Sequence, residues 1–124
     1  MNLNQVTVPV VNMASSIAFY TKLGLKLIVH SNDDYARFEC PGGSTFSLQR
    51  EHRVSTKSGI HVYFECEDLD EKVQGLLNEG VSFLELPNDK PWLWREAHLE
   101  DPDANHIVLY LARENRLNPP WRIS

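Results

Sequence analysis

Gln5-Val6-Thr7-Val8-Pro9-Val10, then Asn12, then Gly24: this series returns 56 residues later as His61-Val62-Tyr63-Phe64-Glu65-Cys66, Asp68 and Gly80. Val6, Val8 and Val10 alternate with Gln5, Thr7 and Pro9, which predicts a strand with one face on a core. Asn12 is a helix-capping residue, and Gly24 supplies the left-handed backbone that ends a helix. In the second copy, Asp68 with Glu71 three residues on predicts a capping box, and Gly80 the stop. A repeat of this length is a supersecondary unit that covers its apolar face by docking on its twin. Two open sheets facing each other leave a cleft, where small molecules bind.

The remaining segments fit the same frame. Met13, Ile17 and Tyr20 form the expected buried stripe of the first helix, and Leu69, Val73, Leu76 and Leu77 that of the second. Leu25–His30, Tyr35–Cys40 and Thr45–Arg50 read as strands, separated by Ser31-Asn32-Asp33-Asp34 and Pro41-Gly42-Gly43. Val81–Leu86, Trp94–Glu100 and His106–Leu111 read as their counterparts. Pro87 to Pro91 forms an enlarged loop, and Asp101-Pro102-Asp103-Ala104-Asn105 the last hairpin turn. A polar linker runs from Glu51 to Gly59. The fold expected is α+β: two βαβββ modules, residues 1–50 and 59–112, form a curved mixed sheet around a cleft with helices outside. They make one domain over 1–112, followed by an extended tail, 113–124, anchored by Trp121.

A chain of 124 residues with 42% hydrophobic content can bury one real core. Its net charge of −5 argues against nucleic acid or anionic membrane as partner. No apolar run approaches the roughly 20 residues of a bilayer span. Met1-Asn2-Leu3-Asn4 has neither the basic nor the apolar part of a signal peptide, so a cytoplasmic location is expected. Cys40 and Cys66 then read as small hydrophobes or idle thiols, not zinc ligands or nucleophiles. Each module offers a sheet edge, and a homodimer is the expected assembly.

Two segments resemble a known family. Ser16-Ile17-Ala18-Phe19-Tyr20-Thr21-Lys22-Leu23-Gly24-Leu25 is similar to the "SixFYxxLGf" segment of the vicinal oxygen chelate superfamily, which contains glyoxalase I, extradiol dioxygenases, fosfomycin-resistance enzymes and bleomycin-binding proteins. Asp101-Pro102-Asp103-Ala104-Asn105-His106-Ile107-Val108-Leu109-Tyr110 resembles its "DPdGnxiEly" ending. The likeness spans residues 3–112. Ala104 replaces the family's usual glycine, and Asn105 is expected to absorb any positive backbone dihedral there.

The resemblance implies four metal-ligand positions, at Gln5, Ser47, His61 and Val108. Alternation independently turns Ser47 and Gln49, and His106, Val108 and Tyr110, toward the cleft. Only Gln5 and His61 can donate, both neutral, so a divalent ion held by these alone binds weakly. Pairing Leu99 with Ile107 sets His98 opposite Val108, about 5 Å away at the β-carbon. His98 could then lean toward His61, with Glu96 behind it; the alternative is a half-exposed strand histidine. With both carboxylate positions empty, glyoxalase I proper is not expected, because its proton transfer needs such a base.

Thr7, Arg37, Ser47, Gln49, Tyr63, Trp92, Trp94, Val108 and Tyr110 are the expected cleft lining. Aromatic walls with an arginine suit a flat or partly apolar ligand carrying an anionic group. Trp92 and Trp94 would equally suit a second subunit. The function expected is small-molecule handling of the glyoxalase or bleomycin-resistance type, on an oxygenated or aromatic ligand. The alternative is a lyase or dioxygenase dependent on zinc, nickel, manganese or iron, using His61, Gln5 and a non-standard ligand such as His98.

Overall fold

A computed structural model describes residues 1–53 and 59–123. The elements are β1 (Gln5–Val10), α1 (Met13–Lys22), β2 (Lys26–Ser31), β3 (Tyr35–Glu39), β4 (Thr45–Arg50), β5 (His61–Glu65), α2 (Leu69–Asn78), β6 (Glu85–Asp89), β7 (Arg95–Glu100), β8 (His106–Leu111) and α3 (Glu114–Leu117). They make two four-stranded mixed sheets of matching order, β1-β4-β3-β2 and β5-β8-β7-β6. Each sheet joins its first and last strands in parallel, and the others run antiparallel. The α+β class and the two βαβββ modules are those expected. Part of the predicted linker, residues 54–58, lies outside the described residues. No described helix is long and apolar enough to cross a membrane.

The chain divides into two compact units, 1–58 with 101–105, and 59–100 with 106–124. In the first, Val8, Val10, Ala36, Phe38, Phe46 and Leu48 are buried along one sheet face, covered by Met13, Ser16 and Tyr20 of α1. Tyr20 packs its ring 4.7 Å from that of Phe46. The expected stripe is shifted here: Ser16 is fully buried and Ile17 only partly. Asn12 caps α1 by accepting from the Ser15 amide at 3.0 Å, and Gly24 takes φ 100°. In the second unit Ala97, Leu99, Ile107 and Leu109 are buried with Leu69, Val73 and Leu76 of α2.

The turn at 101–105 links β7 to β8 yet groups with the first unit. Asp101 organises it. One carboxylate oxygen accepts the amides of Asp103 and Asn105, and the other accepts the Tyr20 hydroxyl at 2.6 Å and the Asn105 side-chain amide. The two segments that carry the family likeness are therefore joined by one hydrogen bond. Burial, then the neighbouring Asp101 carboxylate, push the Tyr20 phenol far above its usual range, so it stays a proton donor. Asn105 also donates to the Pro9 carbonyl, and Asp103 accepts the Val11 amide.

Several local expectations are corrected. Ala104 itself holds φ 63°, at the end of the turn that its amide closes on the Asp101 carbonyl at 2.9 Å. Asp68 precedes α2 but makes no side-chain capping bond. The strand expected at Val81–Leu86 begins at Glu85 and runs through Pro87 to Asp89. It is the sheet's edge, where a missing proline N–H is tolerated. The tail is not wholly extended: Glu114–Leu117 forms a single helical turn. The Glu65 carboxylate fixes its entry by accepting the Ala112 and Arg113 amides.

Candidate functional site

In each unit the sheet face opposite the helix is polar, and strand register sets its content. On the second sheet Leu99 pairs with Ile107, so His98 faces Val108, Glu96 faces Tyr110 and His61 faces His106. This puts Glu96, His98, His61, His106, Tyr63 and Tyr110 on one face.

Their side chains form a continuous chain. Glu96, only 2% exposed, accepts the Trp92 indole N–H at 2.7 Å with one oxygen, while its other lies 2.8 Å from Nε2 of His98. Nδ1 of His98 lies 2.7 Å from Nε2 of His106. The His106 ring stacks on that of His61 at 3.9 Å, with an interplanar angle of 14°. A buried carboxylate needs donors, which His98 and Trp92 supply. With Nε2 of His98 donating to Glu96, its Nδ1 can accept the His106 Nε2 proton, which leaves Nδ1 of His106 as that ring's acceptor. Burial first, then the neighbouring His61 and His98, lower the His106 pKa below its ordinary value, against a smaller upward pull from Glu100.

Aromatic rings flank this chain. Trp94 stacks on Tyr110 at 4.7 Å, and Tyr63 meets both edge-on, at 5.9 Å and 5.5 Å. Tyr63 and Trp92 are exposed, whereas Tyr110 and Val108 are buried in a cluster with Ala112 and Trp94. Burial raises the phenol pKa of both Tyr63 and Tyr110. Val108 thus offers no surface to a ligand.

The first sheet carries a polar group of its own. Gln5 donates from Nε2 to Ser47 Oγ at 2.8 Å and to Thr7 Oγ1 at 3.1 Å, and its carbonyl oxygen accepts the Thr45 hydroxyl. Tyr35 and Ser47 hydroxyls lie 2.7 Å apart, and Arg37 Nε donates to the Tyr35 hydroxyl at 2.9 Å. Gln49 turns instead to the Asp34 carbonyl at the strand's exposed end.

These partners bear on the expected metal ligands. The expected ligands were Gln5, His61 and His98. The Gln5 amide is engaged at both its oxygen and its nitrogen, and both nitrogens of His98 are taken, by Glu96 and His106. Among the described residues no group of three His, Cys, Asp or Glu side chains has the arrangement to hold an ion. As bonded here, neither Gln5 nor His98 is presented as a free ligand. Cys40 and Cys66 are unpaired thiols, each raised in pKa by burial, which suits packing over reactivity.

Of the functional residues on the second sheet, sequence reasoning set Glu96 behind His98 and turned His106 toward the polar side, but placed neither in the site. The signal available was alternation: residues 96, 98, 106 and 110 share one face. Tyr35 was also left out, although it precedes Arg37 by two residues on the same face.

Paired βαβββ modules, each with one apolar and one polar sheet face, define the class of protein. Residues 2–109 match the family described as the Glyoxalase/Bleomycin resistance protein/Dioxygenase superfamily, and the chain belongs to it. Members of this superfamily often use divalent metals. The chain is 30% identical to the uncharacterized protein YraH of Bacillus subtilis (strain 168), over 89% of this chain and 98% of that one. It shares its fold with a glyoxalase/bleomycin resistance protein/dioxygenase from Nocardioides, at TM-score 0.76 and 21% identity, covering 100% of this chain and 90% of that one. Lactoylglutathione lyase from Agrobacterium tumefaciens gives 0.75 at 16% identity, covering 90% and 94%.

Proposed function

We propose that this chain handles a flat, oxygenated small molecule on the polar face of its second sheet, without a metal ion. The observation that carries this reading is the Glu96–His98–His106 hydrogen-bond chain, set beside exposed Tyr63 and Trp92. Ring faces supply apolar contact, and a neutral imidazole accepts a hydroxyl proton in a hydrogen bond. A buried carboxylate that fixes the imidazole tautomer is an arrangement also suited to general acid–base catalysis.

The test is NMR-monitored titration with neutral, flat, oxygenated probes: catechol, hydroquinone and 1-naphthol. Saturable shifts of the His61 and His106 imidazole signals are expected. Tyr63→Ala and His106→Ala should each weaken binding by about tenfold, a loss of the size expected for one good contact. Absence of saturable shifts with all three probes, or unchanged affinity in both variants, would rule the reading out.

A further inference from the structure

We propose that Arg37, Tyr35 and Ser47 form a site on the first sheet that takes the carboxylate of a small organic acid. Strand register brings the three together: Arg37 pairs with Ser47 across β3 and β4, and Tyr35 lies two residues from Arg37 on the same face. Ser47 is fully buried and rigidly held, with its Oγ bonded to Gln5 and Tyr35. Tyr35 and Arg37 are half-buried, so a ligand can reach them.

Arg37 lacks the partner its neighbours have. Three arginines lie on described strands. Arg50 pairs with Asp34, and Arg95 with Asp70 and Asp89. Arg37 has no carboxylate within ion-pair distance among the described residues. Glu39, two residues along the same face, is exposed and outside that distance. In a chain with 17 acidic and 12 basic residues, a half-buried arginine without an acid is an anomaly that an external anion resolves.

The donor geometry indicates which anion. Arg37 spends Nε on the Tyr35 hydroxyl and sits 5.4 Å from the centre of the Tyr35 ring. This contact orients the guanidinium and leaves its two terminal amino groups for a planar, two-oxygen acceptor. Ser47 accepts from Gln5; if it donates onward to Tyr35, the Tyr35 oxygen receives two hydrogen bonds and its own proton is left for the ligand. One fixed cation suits a monoanion, which favours carboxylate over phosphate.

The experiment titrates the full chain with benzoate, its neutral isostere benzamide, and inorganic phosphate, following arginine Nε and tyrosine ring signals by NMR. Benzoate should bind at least tenfold tighter than benzamide or phosphate and weaken with added salt. Arg37→Gln should abolish the benzoate preference, Arg37→Lys should not restore it, and Tyr35→Phe should weaken it several-fold. Native-like spectra of each variant establish that it folds. Hydroquinone binding to the second sheet should persist in Arg37→Gln, so failure of either site is seen separately. Equal affinity for benzoate and benzamide, preference for phosphate, or full benzoate affinity in folded Arg37→Gln would overturn the proposal.

Discussion

Ala104 holds φ 63°, where an L-residue's Cβ crowds the following carbonyl. Asn105, the neighbour better suited to that conformation, is tied to Asp101 and Pro9. Ala104→Gly should therefore raise stability by about 1 kcal/mol, strain relief outweighing the extra flexibility glycine gives the unfolded chain. Urea denaturation measures this directly. Ser16 presents the converse case: its hydroxyl is fully buried and, among the described residues, has no hydrogen-bond partner. Ser16→Ala removes an unmet polar group at little loss of volume, and should stabilise by up to about 1 kcal/mol in the same assay. A loss of stability in either variant would show that the position is satisfied in a way its geometry does not show.

At the scale of elements, β8 carries a pH-sensitive group. His106 titrates below its ordinary value in the folded chain because it is partly desolvated and sits beside His61 and His98. The unfolded chain therefore binds its proton at higher pH than the folded one. Stability contributed by this residue is present above about pH 6.5 and falls as pH drops toward the folded-state pKa. Comparing urea midpoints at neutral and mildly acidic pH should show a smaller acid loss in His106→Gln than in the parent. An equal loss would mean that other groups dominate.

Strands β7 and β8 show how far sequence reasoning reaches. Alternation gave the core faces of β1, β4, β7 and β8. Matching Leu99 with Ile107 gave the hairpin register, and with it His98 opposite Val108. Period-two patterns also put Glu96, His98 and His106 on one side. What they do not encode is diagonal reach. His98 bonds not to residue 108 across from it but to His106, two residues along, through a side-chain orientation set by packing. The bounds of the edge strand β6 differ from those expected for another reason: Pro87 signals a break, and only an edge position neutralises that signal. Register sets Val108 opposite His98, but its burial depends on Tyr110, Trp94 and Ala112 packing around it.

For the whole molecule, the consequence of these side-chain commitments concerns metal. Gln5 and His98 satisfy their polar atoms within the protein, so no ready ligand set remains among the described residues. Protein purified without chelator should carry well under one equivalent of zinc, nickel, manganese or iron by elemental analysis. One equivalent per chain that disappears in His61→Ala would reverse this conclusion.

The turn at 101–105 has a further bearing on how the polypeptide can be divided. It contributes to the first unit through Asp101, which receives the Tyr20 hydroxyl, although it lies far downstream in sequence. A peptide ending at residue 58 would leave that buried phenol with no acceptor and should be unstructured by circular dichroism. Mixed with residues 59–124, it should regain ordered structure, making this duplicated chain a natural split protein whose halves report on their own reunion.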